Sequence, residues 1–153
     1  MERRYYEDFE EGSSFELGSR TVTEEAIITF AREFDPLAFH VDPEAAAETS
    51  FGELFASGWH TAALCMRQLV DGLLSETAVV AGIGVDELRW TRPVYAGDEL
   101  TVTATIGETE PWNEETGLVP IEVEASTQDG ESALRFVDLA LIERRDYTGR
   151  RND

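Results

Sequence analysis

Three residues in the first half of the chain have the types and spacing of a water-adding site. They are Asp35, His40 five residues later, and Gly58 another eighteen residues on. Addition of water across a polarised double bond needs a base for the water and an acid for the carbon that takes up the proton. It also needs hydrogen-bond donors aimed at the oxygen on which charge develops. Asp35 follows a helical run directly, where the helix dipole disfavours a carboxylate unless something nearby uses it. His40 is one of only two histidines and sits between apolar Phe39 and Val41. Gly58 opens the most apolar run in the sequence, and unpaired N–H groups at a helix start favour a partial negative charge. On residue types alone, Asp35 reads equally well as a solvated loop residue, and His40 reads better as a structural histidine.

Other reactive side chains are less well placed. His60 falls two residues after Gly58 and shares a narrow polar stripe with Arg67 and Asp71, so it is expected to point away from the site. Cys65 lies inside the apolar run without a neighbouring base and reads as core. Two scattered histidines and one cysteine give no metal-site spacing, and there is no glycine-rich phosphate loop. Neither a metal nor a cofactor is expected.

The elements that must position these residues follow from periodicity. Thr23 caps a helix over Glu24 to Phe34, whose apolar face is Ala26, Ile27, Phe30, Ala31 and Phe34. Pro36 ends that helix at Asp35, and His40 falls in the following loop. Asp42 and Pro43 start a second, short helix. From Trp59 to Leu74 apolar residues cover most of the circumference, so this helix is expected to be enclosed on most sides. Ser13 to Val22 reads as a strand or bent hairpin arm. After the long helix, Val79 to Val94, Glu99 to Glu108, Leu118 to Thr127 and Ser132 to Glu143 read as four strands. The polar stretch Pro111 to Gly117 is expected to be a long hairpin loop. One enclosed helix followed by antiparallel strands predicts an α+β layer arrangement, a sheet wrapped round a helix. Residues 1–12 read as a lead-in, 13–145 as a single domain and 146–153 as a charged tail.

Length and charge bound the function further. The 153 residues fit one domain, and no run of about 18 apolar residues suggests a membrane span. The N-terminus lacks the apolar core of a signal peptide, and one cysteine suits a reducing cytoplasm. Acidic residues number 32 against 12 basic ones, all arginine, for a net charge of −20. Such a surface repels nucleic acid and anionic membranes, which excludes both as partners. Its self-repulsion is relieved by salt, so a cytoplasm of high ionic strength is expected.

Three stretches resemble one family. Asp35-Pro36-Leu37-Ala38-Phe39-His40, with Val41-Asp42-Pro43 behind it, resembles the aspartate-to-histidine signature of MaoC-like dehydratases and (R)-specific enoyl-CoA hydratases. Ala56-Ser57-Gly58-Trp59-His60-Thr61 resembles the start of their central helix, and Glu87 to Asp98 resembles the strand and turn that follow. The commonest pattern has Asn-Pro where Leu37-Ala38 stand here, and many members have histidine in place of Ser57. The resemblance implies the hot-dog fold, an antiparallel sheet wrapped round a long helix, with dimers joined sheet edge to sheet edge. It implies Asp35 and His40 as the residues that hold and activate water. The Gly58 N–H, with Ser57 beside it, would then polarise the thioester carbonyl. Arg89 and Arg92 are candidates by position for contacts to coenzyme A, here a substrate thioester and not a cofactor. The expected activity is hydration of an enoyl thioester by a homodimer or larger homo-oligomer. A hot-dog thioesterase and a non-catalytic acyl-binding or regulatory module are the alternatives. The first commonly carries an acid on the enclosed helix, where only Asp71 stands here, and an intact Asp35 and His40 argue against the second.

Overall fold

The structure, a computed structural model, describes residues 2–147; residues 148–153 of the expected tail lie outside them. Strand β1 (Ser14–Thr21) leads into helix α1 (Glu24–Phe34), which the Thr23 hydroxyl caps by accepting from the Ala26 N–H at 3.1 Å. Two short helices follow, α2 (Ala38–Val41) and α3 (Pro43–Ala47), and then the long helix α4 (Gly58–Gly72). The rest is sheet: β2 (Val79–Trp90), β3 (Glu99–Ile106), β4 (Glu110–Pro111), β5 (Thr116–Ser126) and β6 (Ser132–Glu143).

The antiparallel sheet has the order β1-β3-β5-β6-β2, with β4 added against β5. Period-2 alternation turns one side of β3, β5 and β6 towards α4. Val102, Ala104, Val119, Ile121, Val123, Leu134 and Ala140 are buried there, against Leu64, Cys65 and Leu69 of the helix. At the far side Gln68 on α4 donates to the carbonyls of Leu17 and Gly18, fastening the helix to the bulge that Gly18 makes in β1 at φ +86°. Strand β2 stands at the edge and pairs only with β6.

Several expectations need correction. His40 is in α2, a single helical turn, and not in a loop. The stretch expected as a long hairpin loop, Pro111 to Gly117, gives Pro111 to the two-residue strand β4 and Thr116 and Gly117 to β5. The lead-in is docked to the domain: Phe9 is buried, Arg4 bridges Thr77, and the Tyr6 ring fills the space where Gly117 would otherwise carry a Cβ. Helix α4 is open along one flank, where Trp59, Ala63 and Val70 are exposed. The helix is enclosed on most sides as expected, but its open side carries these apolar residues as well as polar ones. At its start Trp59 packs on Trp90 at the end of β2, a strand on which Val80, Ile83 and Val85 are also exposed.

Candidate active site

Asp35 is the C-cap of α1, and its N–H still donates to the Ala31 carbonyl. Pro36 prevents another helical turn. The chain reverses so that the Leu37 N–H reaches the Asp35 carbonyl at 2.8 Å. The turn of α2 then carries the buried His40 ring back towards the end of α1. Oδ2 of Asp35 and Nε2 of His40 come to 3.5 Å.

The other ring nitrogen fixes the chemistry. His40 Nδ1 lies 2.7 Å from the Phe55 carbonyl, which can only accept, so Nδ1 carries the proton. Nε2 is thus the nitrogen that faces the carboxylate, a lone pair when the ring is neutral and a donor to Asp35 when it is protonated. In the neutral state both atoms are acceptors 3.5 Å apart, and a water lying beside the pair has one hydrogen for each. Phe39 and Phe55 meet the imidazole edge-on and hold its plane.

Asp35, His40 and Gly58 line one cleft of about 470 Å³, together with Phe51, Phe55, Trp59, Trp90 and Val94. The Gly58 N–H is the first amide of α4, and among the described residues it has no hydrogen-bond partner. It is thus available to a ligand oxygen. Ser57 is fully buried and is not among the cleft residues; its hydroxyl caps α4 by accepting from the Trp59 N–H at 3.3 Å. The helix that supplies the Gly58 amide is thereby held from below.

The two arginine candidates separate. Arg92 lines the cleft, and its guanidinium is paired with Glu131 in the β5–β6 turn. Arg89 belongs to a different, polar groove with Glu122, Glu124 and Arg135, and its guanidinium donates to the Leu88 carbonyl.

His60 does not lie on a solvated stripe with Arg67 and Asp71. Those two pair with each other in solvent, whereas His60 is buried and stacked on Phe30 at 4.9 Å. Burial, and then the nearby Arg20 charge, hold the His60 imidazole below its ordinary pKa. Cys65 is buried and its thiol is pushed up to about 12, so it is inert core. Sequence reasoning missed Trp90, Phe51 and Phe55 as cleft residues, since no periodicity marks an aromatic ring as lining rather than core. Among the described residues no group of three or more His, Cys, Asp or Glu side chains could hold a metal.

A six-strand antiparallel sheet packed on one long helix, with its cleft at the helix start, is the hot-dog fold. The profile of the MaoC like domain matches residues 8–128, and the chain belongs to that family. A MaoC-like dehydratase from Rhodospirillum rubrum superposes with a TM-score of 0.86 at 38% identity, covering 93% of this chain and 98% of that one. The (R)-hydratase PhaJ1 from Pseudomonas aeruginosa superposes at 0.73 with 25% identity, covering 92% and 86%. In sequence, 3-hydroxyacyl-thioester dehydratase Z of Mycobacterium tuberculosis is 30% identical over 131 residues, 76% of this chain and 83% of that protein. Some relatives are much longer: the match to Protein MaoC of Klebsiella aerogenes spans 30% of that protein.

Proposed function

We propose that the protein adds water to a trans-2-enoyl thioester, most simply an enoyl-CoA, to give the (R)-3-hydroxyacyl thioester, and catalyses the reverse elimination. The carrying observation is the pair of facing acceptors, Asp35 Oδ2 and His40 Nε2, in one cleft with the unpartnered Gly58 N–H. A water held by both acceptors attacks C3, and the double-bond electrons move towards the thioester oxygen. The Gly58 N–H stabilises the charge that develops there. One member of the pair takes the proton from water, and a proton is delivered to C2. Atoms balance as the addition of H2O, with no redox partner. Family membership and the named hydratase and dehydratase relatives support this reading.

Arg92 is the cleft's cation for the phosphates of a coenzyme A carrier. A second copy of the chain is the partner for the β2 edge and the open flank of α4. The test is loss of enoyl-thioester absorbance with crotonyl-CoA in concentrated KCl, followed by chiral analysis of the product. Formation of (R)-3-hydroxybutyryl-CoA is expected. Absence of hydration with crotonyl-CoA and with longer enoyl-CoA esters would overturn the proposal, and release of free thiol would point to a thioesterase.

A further inference from the structure

We infer that Trp90 is a positioning residue for the Gly58 amide, acting as a strut from the sheet to the first turn of α4. This inference rests on the proposed role of Gly58 as oxyanion donor.

Three observations converge on it. The Trp90 indole N–H donates to the Gly58 carbonyl at 2.7 Å. That carbonyl already belongs to the helical ladder, and its second lone pair takes the indole. A Cβ built on Gly58 would collide with the same indole ring, so glycine is what lets the ring lie against the backbone. The ring is itself held: Trp90 pairs with Leu134 at the end of β2, and Trp59 packs edge-to-face on it at 5.2 Å. The next residue, Thr91, donates its N–H to the Ala133 carbonyl and its hydroxyl to the Ser132 carbonyl.

The physical need for a strut comes from glycine. A glycine at the first helical position has freer backbone torsions than any other residue type would have there, where helix ends already fray. Oxyanion stabilisation depends on a donor aimed beforehand at the developing charge. The Ser57 and Trp90 contacts act on opposite ends of one peptide unit, at the Trp59 N–H and the Gly58 carbonyl. The Gly58 amide itself belongs to the preceding unit, whose Ser57 carbonyl accepts from the His60 and Thr61 N–H groups, so Trp90 completes a hold on both units that flank the Gly58 torsions. Gly58 and Trp90 are therefore a matched pair: the missing side chain admits the ring, and the ring restores the rigidity that the missing side chain gave up.

The test replaces Trp90 by 3-benzothienylalanine, which keeps the bicyclic ring and puts sulfur in place of the N–H. Trp90→Phe serves as the genetically encoded companion. With crotonyl-CoA, kcat is expected to fall about tenfold in both variants, as for a donor misaimed rather than removed. KM should stay within about twofold, because the Gly58 bond gains strength only as charge develops. Amide hydrogen exchange at Gly58 and Trp59 should accelerate in both variants. Unchanged kcat, or a fall in kcat matched by a rise in KM, overturns the inference. So does unchanged exchange at those amides. The pairing is checked by Gly58→Ala, expected to lower the melting temperature, and by Gly58→Ala/Trp90→Leu, expected to regain it while kcat stays low. If the unaltered protein hydrates no enoyl thioester, the functional reading fails by itself, and the exchange measurement still decides whether Trp90 holds the amide.

Discussion

Asp35 and His40 are only five residues apart, yet they meet because each sits at the end of a different helix. The carboxylate is the C-cap of α1, and the imidazole closes the single turn of α2. Their 3.5 Å separation is set by the Pro36 reversal and by the Phe55 carbonyl behind the ring. The sequence between them acts as a hinge of fixed angle, so exchanging either side chain leaves the backbone geometry in place.

Asp35→Asn and His40→Ala are accordingly expected to retain the fold and lose activity. General acid–base groups contribute about 10²- to 10⁴-fold, so kcat with crotonyl-CoA should drop by that factor in each. Circular dichroism and melting temperature check the fold, and steady-state kinetics checks the rate. A well-folded variant with near wild-type kcat would remove the residue from the mechanism.

In solution the chain is expected to be at least a dimer. The twelve-residue β2 leaves one row of backbone N–H and C=O groups unpaired, alongside exposed Val80, Ile83 and Val85. Edges of that length are usually covered or paired. Light scattering in high salt should report 34 kDa or more, twice the 17.1 kDa chain. Ile83→Lys should shift the population towards monomer, and a monomeric wild-type protein would contradict the expectation.

Asp138 is a buried carboxylate on β6, between Val85 and Ile121 in the ladders, and burial raises its pKa. The folded state therefore holds this proton more tightly than the unfolded chain does. The favourable contribution is complete below the ordinary carboxylate pKa and is lost as pH rises through the raised one. Asp138→Asn should remove that slope and raise stability at pH 7 by about 1 kcal/mol, the order of an unfavourable buried polar group. Thermal unfolding of both proteins between pH 4 and 7 is the check. Equal curves across that range would show that the carboxylate is neutralised by some other route.

Salt should stabilise the protein strongly. At about 0.01 M the Debye length is near 30 Å, so 32 acids repel one another across the whole domain. The arginines that pair, such as Arg67 with Asp71 and Arg135 with Glu124, offset only part of this. Screening should saturate below about 1 M, whereas strengthened apolar burial keeps growing beyond it. A melting temperature that stays flat from 0.05 to 3 M KCl would contradict a high-salt cytoplasm.

Local signals in the sequence carried much of the architecture. Thr23, Pro36 and Asp42 bound their helices as their side-chain chemistry requires, and the alternation in β3, β5 and β6 marks the buried face. Asp35, His40 and Gly58 could be paired in advance through the family resemblance, and the structure gathers them in one cleft. What was illegible depends on contacts distant in sequence. Nothing near Glu131 announces that it will take up Arg92, and nothing near Trp90 announces Gly58, 32 residues earlier. The exposed flank of α4 was not foreseen because an apolar residue at the surface has the same composition as one in the core.

The loop before α4 is tied down along its length. The Phe55 carbonyl accepts from His40, Phe55 bridges Tyr95, the Ala56 N–H donates to the Val94 carbonyl, and the Tyr95 hydroxyl donates to the Phe51 carbonyl. A segment anchored at so many points, one of them the His40 ring, cannot lift away without disturbing that ring. The loop is thus a standing wall of the cleft, and a ligand that enters must fit the wall as it is.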